Sequence, residues 1–388
     1  MSYTRILIPD AYHTYLGIPY DEEIVPFPNF GTVLIQHRRY LPDKPAFIWE
    51  NVPPVTFKEW SSGVRLLSGA LKQAGLDFSS RVRLNLDLSP RTLFLFHALL
   101  DGGIPAILTT DPDTGFTFPL PGDVIMPGEF ILKGPGDISG SIHSVVDTLL
   151  HTRPEAPDPF EVPYISLDHP ALFCFDEEMW YEFTQYNLLS AAQSVGKELS
   201  LFRDGETLFA KSAADLADWL FAALASFYYG STTRFETDMD AQKAENILKE
   251  RKTQVLVPDI SRTGIFSPDL TAGEVLRDAA ILCRDPRIGK IPETLSFPWR
   301  CFWTAPVFAG NGVFVSERKG TCCKGLDFIV SGSPDRGRLM VLGHSVPHAV
   351  WLEEPEHWES QFKKHLELPF YVRCEDPQRR TFIVLDDQ

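Results

Sequence analysis

The chain has 388 residues, is 44% hydrophobic and carries a net charge of −16. A chain of this size can bury a large core, and its negative balance excludes a general nucleic-acid or anionic-membrane surface, since both partners are themselves negative. No apolar run reaches the roughly 18 residues of a membrane span, and the start, MSYTRILIPDAYHTYLG, lacks a basic region followed by a long apolar stretch. A cytoplasmic protein is expected.

The first forty residues read as an irregular lead-in ending at the turn Leu41 to Pro45. Ala46 to Trp49 is then a short apolar strand. Thr56 opens a helix with Glu59 three residues on, the spacing of a capping box. Trp60, Val64, Leu67 and Leu71 recur at helical spacing, and Gly75 stops the run. Arg81 to Leu88 alternates as a strand, Ser89-Pro90 starts a helix through Leu100 closed by Asp101-Gly102-Gly103, and Ile104 to Leu108 is another strand. This strand–helix order is the parallel-sheet kind.

Residues 111–128 read as a long loop, 129–133 as a strand and 141–150 as a helix. The Pro-rich stretch Arg153 to Pro159 is the clearest boundary. Beyond it the pattern predicts strands at 171–175, 207–211, 232–236, 253–257 and 279–283, and helices at 184–199, 213–228 and 240–251. From about 312 the chain is strand-rich. The α/β class follows.

Several constellations carry little chemistry. Cysteines 174, 283, 301, 322, 323 and 374 form no C-x-x-C pair and read as free thiols. The Gly-rich stretch Lys133 to Ser141 follows a strand and opens a helix, but Pro135 removes a donor and the Walker order is wrong, so a plain turn is expected. His344 and His348 are four apart, yet Gly343 and Pro347 argue against a helix that could present both to a metal. A surface loop is expected there, and no metal. No G-x-S-x-G elbow stands out. His97, beside Phe94 and Leu100, reads as a core histidine.

The segments PDKPAFIW, VTFKEWSSGVRLLSGALKQAGL and RVRLNLDLSPRTLFLFHALLDGGIPAILTT resemble the adenylate-forming superfamily of acyl- and aryl-CoA synthetases, adenylation domains and luciferases. DHPALFCF, NLLSAAQSVGKEL, AENILKERKTQVLVPDI and the terminal KGLDFIV, GRLMVLG and FYVRCEDPQRRTFIVLDD are similar to its later segments. The resemblance implies two stacked mixed or parallel-sheet subdomains with flanking helices, 1–160 and 161–311, and a small β-rich subdomain, 312–388. It also implies that the family's mobile C-terminal domain, with its catalytic lysine, is absent from this chain.

Against that family the nucleotide site departs from pattern. The Ser/Thr/Gly-rich ATP loop falls on Phe175 to Phe183, which has no glycine or lysine and carries Asp176, Glu177, Glu178 and Glu182, four carboxylates that would repel a triphosphate. The motif whose Glu helps hold Mg²⁺ falls on Cys301 to Ala305, keeping Thr304 but placing Ala305 where a ligand is needed. The adenine-side Gly-Gly falls on Arg284-Asp285, and the ribose-binding acid near Glu375 or Asp376. Trp219, Phe302 and Trp303 are candidates for lining a substrate pocket. No residue is assigned a catalytic role and no cofactor is expected.

Two functions follow as expectations. One is a degenerate, non-adenylating protein that keeps an acyl or aryl carboxylate pocket, or a surface for a carrier or other biosynthetic protein. The alternative is an acyl- or aryl-activating ligase, or another acyl-handling enzyme, with a rebuilt site that would use ATP and Mg²⁺.

Overall fold

In the computed structural model the described residues are 3–13, 27, 29–109, 120, 122–133, 138–156, 164–166, 168–176, 179–210, 216–236, 243, 246–247, 253, 255–258, 278–283, 299–304, 311–314, 319–323, 326–333, 335–377 and 381–385. The opening segment holds β1 (Thr4–Leu7), a 3-10 turn (Asp10–Tyr12) and α1 (Phe30–Tyr40). The irregular lead-in is therefore corrected. Asn29 caps α1 by accepting from Thr32 N, and the helix buries Phe30, Val33, Leu34 and His37. A polar histidine on the buried face hid the helical period.

β2 (Pro45–Trp49) and β3 (Val52–Thr56) lead into α2 (Phe57–Gln73). Thr56 and Glu59 form the capping box reciprocally, and Trp60, Val64, Leu67 and Leu71 are fully buried. Thr56→Ala removes this cap and is expected to cost about 1 kcal/mol, read as a lower urea midpoint at unchanged slope. β4 (Ser80–Asn85), α3 (Pro90–Gly102) and β5 (Ala106–Thr109) follow, with Gly103 at φ 66° closing α3 in the left-handed form that glycine tolerates. β6 (Asp123–Ile125) lies inside the stretch read as a loop, which corrects that reading; three residues are too few to show a period. β7 (Ile131–Lys133) and β8 (Ser139–Ser141) form a small pair before α4 (Ile142–Thr152). Arg153, at the start of the Pro-rich stretch, donates to Pro53 O and Pro54 O and pairs with Glu59.

The middle holds β9 (Pro170–Asp176), β10 (Met179–Thr184), α5 (Gln185–Glu198), β11 (Glu206–Ala210), α6 (Leu216–Leu220), a π-helical turn (Phe221–Ala225) and α7 (Ser226–Tyr228). β12 (Thr232–Phe235), β13 (Val255–Pro258), β14 (Asp278–Cys283) and β15 (Trp299–Thr304) follow. The helix expected at 240–251 is described only at 243 and 246–247, which are helical. The end carries β16 (Asn311–Phe314), β17 (Lys319–Cys322), β18 (Leu326–Ser333), β19 (Arg336–Gly343), β20 (Ala349–Leu352), a 3-10 turn (Pro355–His357), α8 (Trp358–Leu366), β21 (Glu367–Asp376) and β22 (Thr381–Val384). The sequence reading missed α8, a nine-residue helix that buries Phe362 and Leu366.

Among the described residues, seven strands form one sheet in the order β1-β20-β10-β9-β5-β4-β6. Thirteen form the other, β18-β19-β21-β22-β17-β16-β15-β14-β13-β11-β12-β2-β3. Both draw strands from either side of residues 160 and 311: β2 and β3 join the larger sheet, β20 the smaller. Helices α3 and α5 pack on the smaller sheet, α2 and α7 on the larger, and the helices pack on one another between them. A large continuous core results, with a second small cluster of Ile107, Leu120, Phe173 and Trp180. No described helix is long and apolar enough to cross a membrane.

Candidate functional site

From β2 through β15 the larger sheet is parallel, in the spatial order β15-β14-β13-β11-β12-β2. The chain passes from β11 to β12 on one side and then crosses to β13 on the other. The sheet therefore has a topological switch between β11 and β13, and ligands in open α/β sheets bind outside the carboxyl ends at such a point. The carboxyl ends here are Ala210, Pro258, Cys283 and Thr304. Thr304 is the last residue of β15 and pairs with Asn311; Phe302 and Trp303 precede it, opposite Val313 and Gly312. Ala305 and Arg284-Asp285 lie outside the described residues.

Register carries this row further. Phe302 pairs with Val313, Val313 with Thr321, Thr321 with Thr381 and Thr381 with Asp376. Thr304, Glu375 and Asp376 thus lie toward the same end of one sheet. Four strand spacings still separate Phe302 from Asp376, about 19 Å along the sheet. Thr381 Oγ1 donates to Glu375 Oε2 at 3.4 Å.

Asp176 belongs to the smaller sheet. It ends β9 and pairs with Met179 of β10, so only Glu177 and Glu178, both outside the described residues, join the two strands. The segment read as a degenerate loop is therefore a β-hairpin, which is a correction. Met179 to Thr184 are all buried, and β10 is laddered on both edges, to β9 and to β20. Glu182 does not face a phosphate site. Its carboxylate is fully buried and accepts from Arg5 Nε at 3.0 Å, from Arg5 Nη2 at 2.5 Å and from Trp351 Nε1 at 2.8 Å. Alternation along MWYEFT, with Glu182 in phase with Trp180, was the signal of a strand.

Trp219 is fully buried on α6, its ring centroid 4.6 Å from that of Phe96 in an edge-to-face contact and its Nε1 donating to Asp87 O at 2.6 Å. Trp49, at the carboxyl end of β2, donates likewise to Leu88 O at 2.9 Å. Two indoles thus clamp the turn between β4 and α3. Asp87 Oδ1 accepts from Ser89 N, and Ser89 Oγ caps α3 at Thr92 N.

His13, His37, His97 and His344 are core groups. His97 Nδ1 accepts from Trp60 Nε1 at 2.9 Å, so its Nε2 carries the proton and donates to Ala223 O in the π-helical turn, also at 2.9 Å. Burial pushes its pKa down to about 3. His344 is fully buried and hydrogen-bonded to the Tyr186 hydroxyl at 2.8 Å, which corrects the surface-loop reading. Turn residues around it suggested exposure, but Asn187 donates to its carbonyl and draws the turn inward. Among the described residues no three His, Cys, Asp or Glu side chains converge as a metal requires.

No family model and no curated protein matches the sequence. Solved structures do match. Apo MatB from Rhodopseudomonas palustris superposes with a TM-score of 0.70 at 14% identity, over 92% of this chain and 78% of that one. O-succinylbenzoate CoA synthetase from Bacillus subtilis, bound with a product analogue, gives 0.67 at 16% identity, over 93% and 79%. The N-terminal subdomain of Klebsiella oxytoca NpsA, in complex with 3-hydroxyanthranilyl-AMSN, gives 0.66 at 10% identity, over 93% and 100%. The chain has the adenylate-forming fold. It spans the whole of the NpsA N-terminal subdomain, the large portion of the adenylate-forming fold. At these identities the likeness is one of architecture, and chemistry has to be argued from the site.

Proposed function

We propose that this chain is a non-adenylating protein built on the adenylate-forming fold, handling an acyl or aryl carboxylate or a carrier protein without activating the acid through ATP. The observation that carries this reading is β10. A loop that cradles a triphosphate needs backbone N–H groups free to turn toward phosphate oxygens. Residues 179–183 are laddered to β9 and residues 180–182 also to β20, Thr184 N donates to Asn187 Oδ1, and the side chains of 179–184 are buried. The two residues left between the strands are both glutamates.

Purified protein incubated with ATP-Mg²⁺ and a panel of aryl and fatty acids is expected to give pyrophosphate exchange no higher than a protein-free blank. Thermal stabilisation by an acid in the absence of nucleotide supports the retained pocket. Exchange above the blank with any acid overturns the reading. That result would favour the second one, an acyl- or aryl-activating ligase with a rebuilt site. Its support is Thr304 at the carboxyl edge of β15, together with the fact that matching structures are those of CoA synthetases and an adenylation subdomain.

A further inference from the structure

β1 is lightly secured. It is four residues long, lies at the edge of the smaller sheet and pairs only with β20. None of its residues is buried, and short edges of this kind are where local opening starts. Beyond β1 the chain turns inward. Ile8 N donates to His348 O at 3.0 Å, and the 3-10 turn Asp10–Tyr12 ends at His13.

His13 is the inner latch of this segment. It is 2% exposed, and its Nε2 lies 2.9 Å from Pro347 O. A carbonyl oxygen only accepts, so that nitrogen carries the proton of a neutral ring. The ring is stacked with that of His348, centroids 6.3 Å apart and planes 22° apart. A second proton on His13 would therefore place a cation in the core, against another imidazole. Outer latches complete the hold: Arg5 on Glu182, and Tyr12 with its ring edge on Phe362.

Charged and titratable groups face the two rings from each neighbouring element. Asp10 and Arg5 belong to the segment itself, Glu182 to β10, Asp168 to the turn before β9 and His344 to the turn after β19. Asp10, Glu182 and Asp168 favour charged imidazoles, whereas Arg5 and the neighbouring histidines oppose them. Burial outweighs the acids. It lowers the pKa of His13 to about 4 and lowers that of His348 as well.

We propose that residues 4–13 form an acid-released strap, which opens from the sheet edge ahead of the rest of the fold when His13 and His348 take up protons. In the open strap each ring regains water and its ordinary affinity, near pH 6.5. The closed strap is thus favoured fully above that pH and progressively less below it, down to about 4 for His13. Opening leaves the outer edge of β20 unpaired and takes the Arg5 guanidinium away from Glu182. The strap does not rest on the proposed loss of adenylation.

The test is deuterium uptake by the whole chain from pH 7.5 to 5.0, read peptide by peptide and corrected for the intrinsic pH dependence. Uptake at 4–13 should exceed that of α2 at each pH, the mark of local opening. It should also rise about thirtyfold over this range from His13 alone. His13→Gln keeps an N–H donor for Pro347 O and does not titrate; combined with His348→Gln it should flatten the rise. The readout is the slope with pH, so a strap looser at every pH still decides the matter. Should the double variant fail to fold, His348→Gln alone, at a half-buried position, should lower the slope. Equal protection of 4–13 and α2 at every pH, uptake at 4–13 that does not rise, or the wild-type slope in the variants overturns the proposal.

Discussion

Arg5→Met is expected to lose about 3 kcal/mol of stability, the lower end of the range for breaking a buried ion pair. Glu182 sits on an interior strand with no solvent exposure, and it accepts from Arg5 Nε, Arg5 Nη2 and Trp351 Nε1, two of these three donors being on Arg5. Removing the guanidinium leaves a buried carboxylate with one indole N–H. The Arg5 side chain is 36% exposed, so water entering its place offsets part of the penalty and keeps the loss at the lower end. The same pair holds β1 on the sheet edge, where β1 contacts only β20 in the ladder. Urea unfolding of wild type, Arg5→Met and Arg5→Met/Glu182→Leu gives the check. The double variant should recover much of the loss, because no charge is then stranded. A single-variant loss below about 0.5 kcal/mol, the scale of an ordinary surface change, would refute the argument.

Stability should fall steeply as pH drops from 6.5 to 4. Burial lowers the pKa of His13 and His37 to about 4 and that of His97 to about 3. The unfolded chain takes up these protons near pH 6.5. The folded one refuses them until the pH nears 4 for His13 and His37 and 3 for His97, so folding is favoured fully above 6.5 and progressively less below it. With three protons bound only by the unfolded state, the slope is about 4 kcal/mol per pH unit. Asp101 works the other way: burial raises its carboxyl, which trims the slope. The geometry supports the refusal at His97, where a second proton would point at the Trp60 N–H. Unfolding free energy measured from pH 7.5 to 4.5 should show this decline, and His97→Gln should reduce the slope by about a third. A flat profile across that range would rule it out.

Much of the fold was legible because its signals are local. The Thr56–Glu59 box, the Ser89 cap, Gly103 and the apolar period of α2 each declare a boundary or a face within a few residues. What stayed hidden depends on distant partners. α1 buries His37 against Phe57 and Phe227, and no window of sequence around 30–40 contains either ring. Glu182 reads as an exposed acid until Arg5 and Trp351, 177 and 169 residues away, are brought beside it. The candidate site was legible only in part for the same reason. Thr304, Phe302 and Trp303 were singled out, and they do end a parallel strand at the carboxyl edge, but nothing around His344 announced that Asn187, 157 residues away, draws its turn inward.

The paired indole bonds onto Asp87 O and Leu88 O have a kinetic corollary. Consecutive carbonyls anchored by Trp49 of β2 and by Trp219 of α6 tie the turn between β4 and α3 to two separate elements. Amide exchange across this turn should therefore be slow and concerted, without the fast phase of a turn that opens alone.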